Sequence, residues 1–417
     1  MGRWTLTALV INSIIGSGIF GLPSDIAAML GGAAVWGWLL AAAGNGVIIA
    51  CFAEVASRFT SAGGPYLYAR ESMGRFAAIQ VGWLAWLTRI ASAAANANLF
   101  TVYLGEVWPG VSDRAIRVAV LALLLGLLAA VNIRGVKAGG RLNNVFTIAK
   151  LAPLAVLLIG GAAFIMWRGA IPAPAPESKQ WLDALLLLAF AYGGFDGAMM
   201  PMSEAKDPRR DAPFALFVGL LAITAIYASV QFVTMALLPD ATASERPLAD
   251  AARVVIGRSG ALLMMAGALI SVYGFLGANV LNVPRLTFAL AERGDFPPAF
   301  AWVHSAFRTP WFSICAFVML VWVLAAVGDF RWNAVLSAVA RLFVYGSVCL
   351  SLLLLRKQQG PARLNLRLGP VFAALGIGFC GLLMTRMGRA ELYIIIGTAA
   401  LALLNWLWAR RRTPEAA

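Results

Sequence analysis

Ile14-Ile15-Gly16-Ser17-Gly18-Ile19-Phe20 is the stretch on which the reading of this chain turns. It lies inside the first of a series of long apolar segments. A helix in lipid must satisfy every backbone N–H and C=O internally. A glycine cluster weakens such a helix, by roughly 1 kcal/mol per glycine relative to alanine. Unwound backbone at bilayer depth is tolerated only where protein buries it or a cavity receives it. A second cluster, Tyr192-Gly193-Gly194-Phe195-Asp196-Gly197, interrupts the sixth apolar segment. Close helix packing through small residues is the competing explanation for the first cluster.

Working outward, the whole chain has the composition of a membrane protein. Of 417 residues, 61% are hydrophobic and 12% charged, and mean hydropathy is +0.81. Long, nearly uncharged apolar runs read as membrane helices. The net charge of +14 does not point to nucleic acid. The basic residues sit in short loops between apolar spans, where they set topology, and not on one face of a soluble domain. Cys51, Cys315, Cys349 and Cys380 all fall within apolar spans, unpaired at metal or redox spacing, and read as small packing residues. The single histidine, His304, lies in a loop. The sequence therefore offers no His/Cys metal site and no Ser-His-Asp arrangement, and neither an enzyme nor a cofactor is expected. The first span lacks a small-residue cleavage site and is read as a membrane segment, not a cleavable leader.

Apolar periodicity gives an all-α membrane protein with twelve transmembrane spans, at 5–29, 33–57, 76–106, 115–132, 144–166, 181–201, 212–238, 258–284, 311–327, 332–355, 369–386 and 391–409. With the N-terminus placed in the cytoplasm, inward segments hold 20 Lys and Arg and outward segments 10. That bias predicts both termini inside a plasma (inner) membrane. Arg89, Lys150 and Arg341 are left at membrane depth. Spans one to five and six to ten each open with a broken helix. Five is odd, so the second unit enters from the opposite side. The expected organisation is a first repeat over 1–166, an inverted repeat over 167–368, and two appended helices with a cytoplasmic tail over 369–417. Interrupted helices at matching positions of two halves point to a midplane binding site in a secondary transporter.

Three ordered motifs carry a resemblance. Ile14 to Pro23 resembles the first-helix signature of the amino acid–polyamine–organocation (APC) superfamily. Phe52-Ala53-Glu54-Val55-Ala56-Ser57-Arg58-Phe59 followed by Ala62 to Tyr68 resembles its second helix and first inner loop. Phe190 to Asp196, then Glu204 to Pro213, resembles its sixth helix and the following loop. The match extends over spans one to ten. It implies a LeuT-type 5+5 inverted-repeat fold and amino acid transport by alternating access.

The expected site follows residue by residue. Gly16, Ser17 and Gly18 would present N–H groups and a positive dipole end to a carboxylate. In similar proteins this segment holds the substrate α-carboxylate, while carbonyls before it and in the sixth helix hold the α-amino group. By that likeness Asn12, Ile14, Ile15 and Ile19 adjoin the site, as do Phe190, Ala191, Tyr192, Gly193 and Phe195. Phe190 matches a position where relatives place an aromatic gate, and a lid of this kind excludes water and then swings away. Ordinary helix packing is the alternative for each aromatic.

Asn143, Thr147 and Lys150 are spaced by four and three and share one helix face. An ammonium at membrane depth costs at least ~2.5 kcal/mol unless paired or solvated. Lys150 either snorkels to the interface or, as in some APC members it resembles, replaces a sodium ion between the first and eighth helices, near Ser271. It would then couple a proton to transport or stay a fixed charge in an exchanger. Asp196, where relatives usually carry glutamate, is a coupling residue or a structural acceptor for freed backbone. Glu54 is expected in an ion pair with Arg58 or the loop. Arg89, Ser92 and Asn96 share a face of the third span. Arg89 could fork onto an acidic substrate side chain; a buried pair with Asp196 or a cytoplasmic-gate contact is the expected reading. Arg341 is open in the same way.

The function implied is a secondary active transporter of small neutral amino acids, proton-coupled or exchanging. Cationic amino acids or polyamines are the first alternative, acidic ones the next. A non-coupled channel or a substrate-sensing receptor on the same fold is the alternative of another class. The partners are the amino acid and the lipid bilayer; the sequence does not give the oligomeric state.

Overall fold

Apolar runs of this length can satisfy their backbone without water only as helices. The computed structural model describes residues 2–59, 63–135, 140–171, 179–198, 208–238, 240–360, 362 and 364–412. Among them are sixteen α-helices and no strand. The first span is three pieces, α1 (Arg3–Ile14), α2 (Ser17–Gly21) and α3 (Pro23–Leu30), followed by α4 (Ala34–Ala56). A short helix, α5 (Gly64–Met73), leads into α6 (Arg75–Leu104), then α7 (Arg114–Ile133) and α8 (Gly140–Arg168). The sixth span is again broken, into α9 (Trp181–Ala191) and α10 (Phe195–Ala198). There follow α11 (Pro208–Leu237), α12 (Pro247–Glu292), α13 (Trp311–Val327), α14 (Phe330–Gln359), α15 (Gly369–Met384) and α16 (Arg389–Arg412).

Among the described residues, helix covers most of each expected stretch. Among the described residues, seven stretches are long and apolar enough to cross a bilayer by length and composition, and α13 and α15 are shorter apolar helices. One boundary differs from the expectation for a physical reason. Span eight is expected to begin at 258, but helix extends back to Pro247. Ile256 and Gly257 break it, Gly257 at φ 66°, so residues before the break form a separate outer turn of helix. Glycine reaches that left-handed conformation without a Cβ penalty. The sixth span is interrupted after Ala191, as the glycines predict; residues 199–207 lie outside the described residues, and with them residues 204–207 of the Glu204–Pro213 motif. The side chains of Asn143 and Thr147 also lie outside them.

The helices divide into an interior set and a lipid-facing set. α14 is mostly buried, and it packs on α6, α9 and α15; α7 and α16 are mostly exposed. The exposed faces are apolar, with Leu123, Leu127, Ile159, Leu221, Ile396 and Leu404 all more than half exposed. At 30 residues α6 is about 45 Å long, which exceeds the roughly 30 Å of hydrocarbon and requires tilt or projection beyond it. The broken helices lie inside this frame: α1 packs on α11 and α10, and α2 on α9 and α12.

Candidate functional site

The two breaks are pressed together. α1 ends at Ile14, Ile15 turns to an extended conformation, and Gly16 (φ −130°, ψ −144°) precedes α2. On the other strand of the crossing, Gly194 has φ +111°. A Cβ on Gly194 would lie 2.5 Å from the Ser13 carbonyl oxygen, and one on Gly18 would lie 2.9 Å from both Cα and Cβ of Ala191. Only glycine fits at either place. Gly18 therefore does the packing job as well as lying where a carboxylate is expected.

A helix that stops inside the bilayer leaves carbonyls without partners and a partial negative charge at its end. Three side chains from other helices take them. Lys150 Nζ, on α8, donates to the carbonyls of Asn12 (2.6 Å) and Ile15 (2.9 Å) at the end of α1. Arg341 Nη1, on α14, donates to Phe190 (3.1 Å) and Ala189 (3.4 Å) at the end of α9. The Tyr227 hydroxyl, on α11, faces the carbonyls of both Ile14 (3.2 Å) and Ala191 (3.4 Å), one from each break. Lys150 and Arg341 are buried. Several carbonyls that the family resemblance assigns to a substrate α-amino group are thus already engaged by the protein.

Two cavities meet at the breaks. The larger, about 280 Å3, runs between α1, α8 and one face of α12; Asn12, Ile15, Lys150, Ser271 and Asn282 are among its lining. The smaller, about 20 Å3, is lined by Gly16, Ser17, Gly18, Ser92, Asn96, Phe190 and Arg341, among others. Phe275, Arg89, Ser13 and Gly194 line both, so Phe275 stands where one passes into the other. On the far side Phe190 meets Phe330 edge-on at 6.1 Å, and Phe20 meets Tyr103 at 6.0 Å. Arg331 lies 3.5 Å from Asp25 at the same end. Aromatic and ionic contacts thus lie at that end, and the larger cavity adjoins the site through the residues both share.

Charges near the site find partners, though Glu54's is not chiefly the expected Arg58. Arg89 binds Asp196, which also accepts from Tyr345 (3.3 Å). Glu54, fully buried, receives both Nε (2.5 Å) and Nη2 (2.6 Å) of Arg356, with Arg58 at 4.0 Å. Beyond the spans, Arg70 and Arg75 pair with the buried Asp295 at 2.9 and 2.7 Å, and Tyr66 donates to the same carboxylate. Burial, with that bond, pushes the Tyr66 hydroxyl up to about 12, so it remains a donor at neutral pH.

Of the residues expected at the site, Asn12, Ile14 to Gly18, Arg89, Ser92, Asn96, Phe190, Ala191, Gly193, Lys150 and Ser271 line one cavity or the other. Ile19, Tyr192 and Phe195 line neither. Tyr192 turns into the helix core and donates to Trp38 O at 3.0 Å. Phe195 packs on Phe52 and Tyr345. Asp196 is reached through Arg89. Lys150 reaches the end of the first helix, while Ser271 shares its cavity and its hydroxyl has no partner among the described residues. The sequence reading misses Tyr227 and Phe275. Thr224, Tyr227 and Gln231, spaced by three and four, form a polar stripe on an apolar span, and that stripe was the available signal. Gln231 does similar work, donating to Pro23 O (3.0 Å) and accepting from Trp38 (2.9 Å).

Comparison with known proteins gives a coherent picture. A model of a family described as amino acid permease matches residues 1–403. The chain is 31% identical over 341 residues to the serine/threonine exchanger SteT of Bacillus subtilis, covering 77% of this chain and 75% of that one. It is 25% identical to the methylthioribose transporter of the same organism, over 99% and 94% of the two chains. It is 30% identical to the arginine/ornithine antiporter of Pseudomonas aeruginosa, over 78% and 71%. These are transporters and exchangers, not enzymes. With this family and seven stretches among the described residues long and apolar enough to cross a bilayer, the chain is a multi-pass membrane protein.

Proposed function

The chain belongs to the amino acid permease family of the APC superfamily, and on that premise we propose that it is a secondary active transporter of small neutral amino acids working by alternating access. The observation that carries this reading is the meeting of two broken helices at one small cavity lined by Gly16, Ser17, Gly18 and Phe190. A substrate binds there by its α-carboxylate, at the backbone N–H groups that open α2, whose N-cap Gly16 has no side chain to cap them. Small residues around the cavity suit a small side chain. The similarity to a serine/threonine exchanger points the same way.

The proposed frame is twelve spans, arranged as two inverted five-helix repeats (1–166 and 167–368) and two appended helices (369–417). Both termini lie in the cytoplasm, as the charge bias favours. The larger cavity then opens inward, with the pairs Phe190–Phe330 and Asp25–Arg331 closing the outer side. Transport proceeds as α1 to α3 and α9 to α10 rock against the rest, closing one gate before the other opens. Coupling passes through a proton on Lys150 or consists of obligatory exchange. The second reading, transport of cationic amino acids, takes its support from the similarity to an arginine/ornithine antiporter.

Uptake into proteoliposomes with a panel of labelled amino acids tests this. Each is offered with an inward pH gradient, with sodium, and with unlabelled amino acid inside. Accumulation of serine or alanine driven by the pH gradient means proton symport. Uptake only against internal amino acid means exchange. Unsaturable, voltage-driven flux would make the protein a channel, and no uptake in any condition would overturn the transporter reading.

A further inference from the structure

Lys150 and Arg341 do the same thing in corresponding places. Lys150 lies on the fifth span and caps the half-helix that opens the first five spans, at Asn12 and Ile15. Arg341 lies on the tenth span and caps the half-helix that opens the second five, at Ala189 and Phe190. Each binds the carbonyl end of a broken helix, where the macrodipole favours a cation. The seat for Arg341 is cut to shape: a Cβ on Gly193 would fall inside the guanidinium. Among the described residues neither Lys150 nor Arg341 has a carboxylate within ion-pair distance, whereas Arg89 is matched by Asp196. Arg341 is 4% exposed, lines the smaller cavity, and its Nε has no partner among the described residues.

We propose that Arg341 is the second repeat's counterpart of Lys150, a fixed guanidinium that occupies the carbonyl end at the second break and makes the site refuse amino acids with a cationic side chain. The inference rests on the transporter reading above and narrows its substrate class. A zwitterionic amino acid brings no net charge into the cavity. Ornithine, arginine or a polyamine brings at least one more positive charge beside Lys150 and Arg341, where the nearby carboxylate among the described residues, Asp196, is already bound by Arg89, in surroundings that screen them poorly. The carbonyls at the end of α9, which would otherwise receive that charge, are already held. The selectivity device here is a repulsive element, not an added contact.

The test is uptake of labelled serine, alanine, ornithine and arginine by proteoliposomes loaded with the same unlabelled amino acid, for the unaltered protein and for Arg341→Gln, Arg341→Lys and Gly193→Ala. The unaltered protein should take up serine or alanine at least about tenfold better than ornithine or arginine, a factor corresponding to ~1.4 kcal/mol. Arg341→Lys should keep that preference. Arg341→Gln, and Gly193→Ala by evicting the guanidinium, should lower the ratio by about tenfold or more. Should Arg341→Gln not yield monodisperse protein, the ratio for the unaltered protein and for Gly193→Ala decides. Ornithine or arginine taken up as well as serine by the unaltered protein would overturn the proposal while leaving the transporter reading intact. A ratio that Arg341→Gln or Gly193→Ala leaves unchanged would do the same. No uptake of any amino acid would overturn both.

Discussion

At the scale of the residue, Lys150 shows how a costly group is made tolerable. An isolated ammonium at bilayer depth is expensive, yet here it replaces two missing intrahelical donors at the end of α1. Removing it would leave two buried carbonyls unsatisfied, at ~1–3 kcal/mol each. Lys150→Ala should therefore lower thermal stability in detergent and reduce uptake to below about a tenth, since each tenfold loss needs only ~1.4 kcal/mol. Normal uptake in that variant would remove Lys150 from the mechanism. Lys150→Arg separates the two coupling routes, because a guanidinium holds its proton under all working conditions. Exchange should survive it if the charge is fixed; uptake driven by a pH gradient should be lost if the proton passes through Lys150. Arg89 and Asp196 illustrate the opposite outcome. Each looks functional from the sequence alone, and together they satisfy one another.

At the scale of the element, the breaks are held as a pair. Gly18 lies against Ala191, Gly194 against Ser13, and Tyr227 spans Ile14 and Ala191. Whatever moves α2 relative to α1 is felt at α9. Gly18→Ala tests this tie, because even one methyl group meets backbone at 2.9 Å. The variant should fold, with the junction pushed apart and apparent substrate affinity lowered by about tenfold or more, as overpacking costs of ~1–3 kcal/mol imply. Competition binding on purified protein reads this directly. Unchanged affinity would mean that the carboxylate site lies elsewhere.

At the scale of the whole molecule, the asymmetry of access matters most. One side of the breaks carries a cavity of about 280 Å3 and the other an aromatic layer. Asn282, exposed at the mouth of that cavity on α12, is a convenient reporter. Asn282→Cys, with Cys315 (exposed on the outer face of α13) replaced by serine, should react with an impermeant thiol reagent applied from the cytoplasmic side of membrane vesicles. Reaction should slow when a transported amino acid closes the cavity. Equal labelling with and without the amino acid would argue against alternating access, and labelling only from the outside would reverse the orientation.

The two glycine breaks, the helical class and the family motifs were legible in the sequence because each is a local matter. A glycine cluster in an apolar run has the same consequence wherever the run ends up, and hydropathy reports length against bilayer thickness directly. Which partner a polar residue finds depended on the tertiary structure. Nothing near Arg341 in the chain says that it meets carbonyls about 150 residues away, or that Gly193 leaves room for it. Tyr192 and Phe195 sit in the break by sequence, but helical phase and the packing of α4 and α14 turn them from the cavity. Glu54 was readable as a buried pair, yet its strongest partner, Arg356, comes from the far end of the chain. The sequence alone determined where the backbone would be left unsatisfied. The tertiary structure decided which side chains would satisfy it, because hydrogen bonds reach only about 3 Å and the groups within that reach are set by how helices distant in sequence pack.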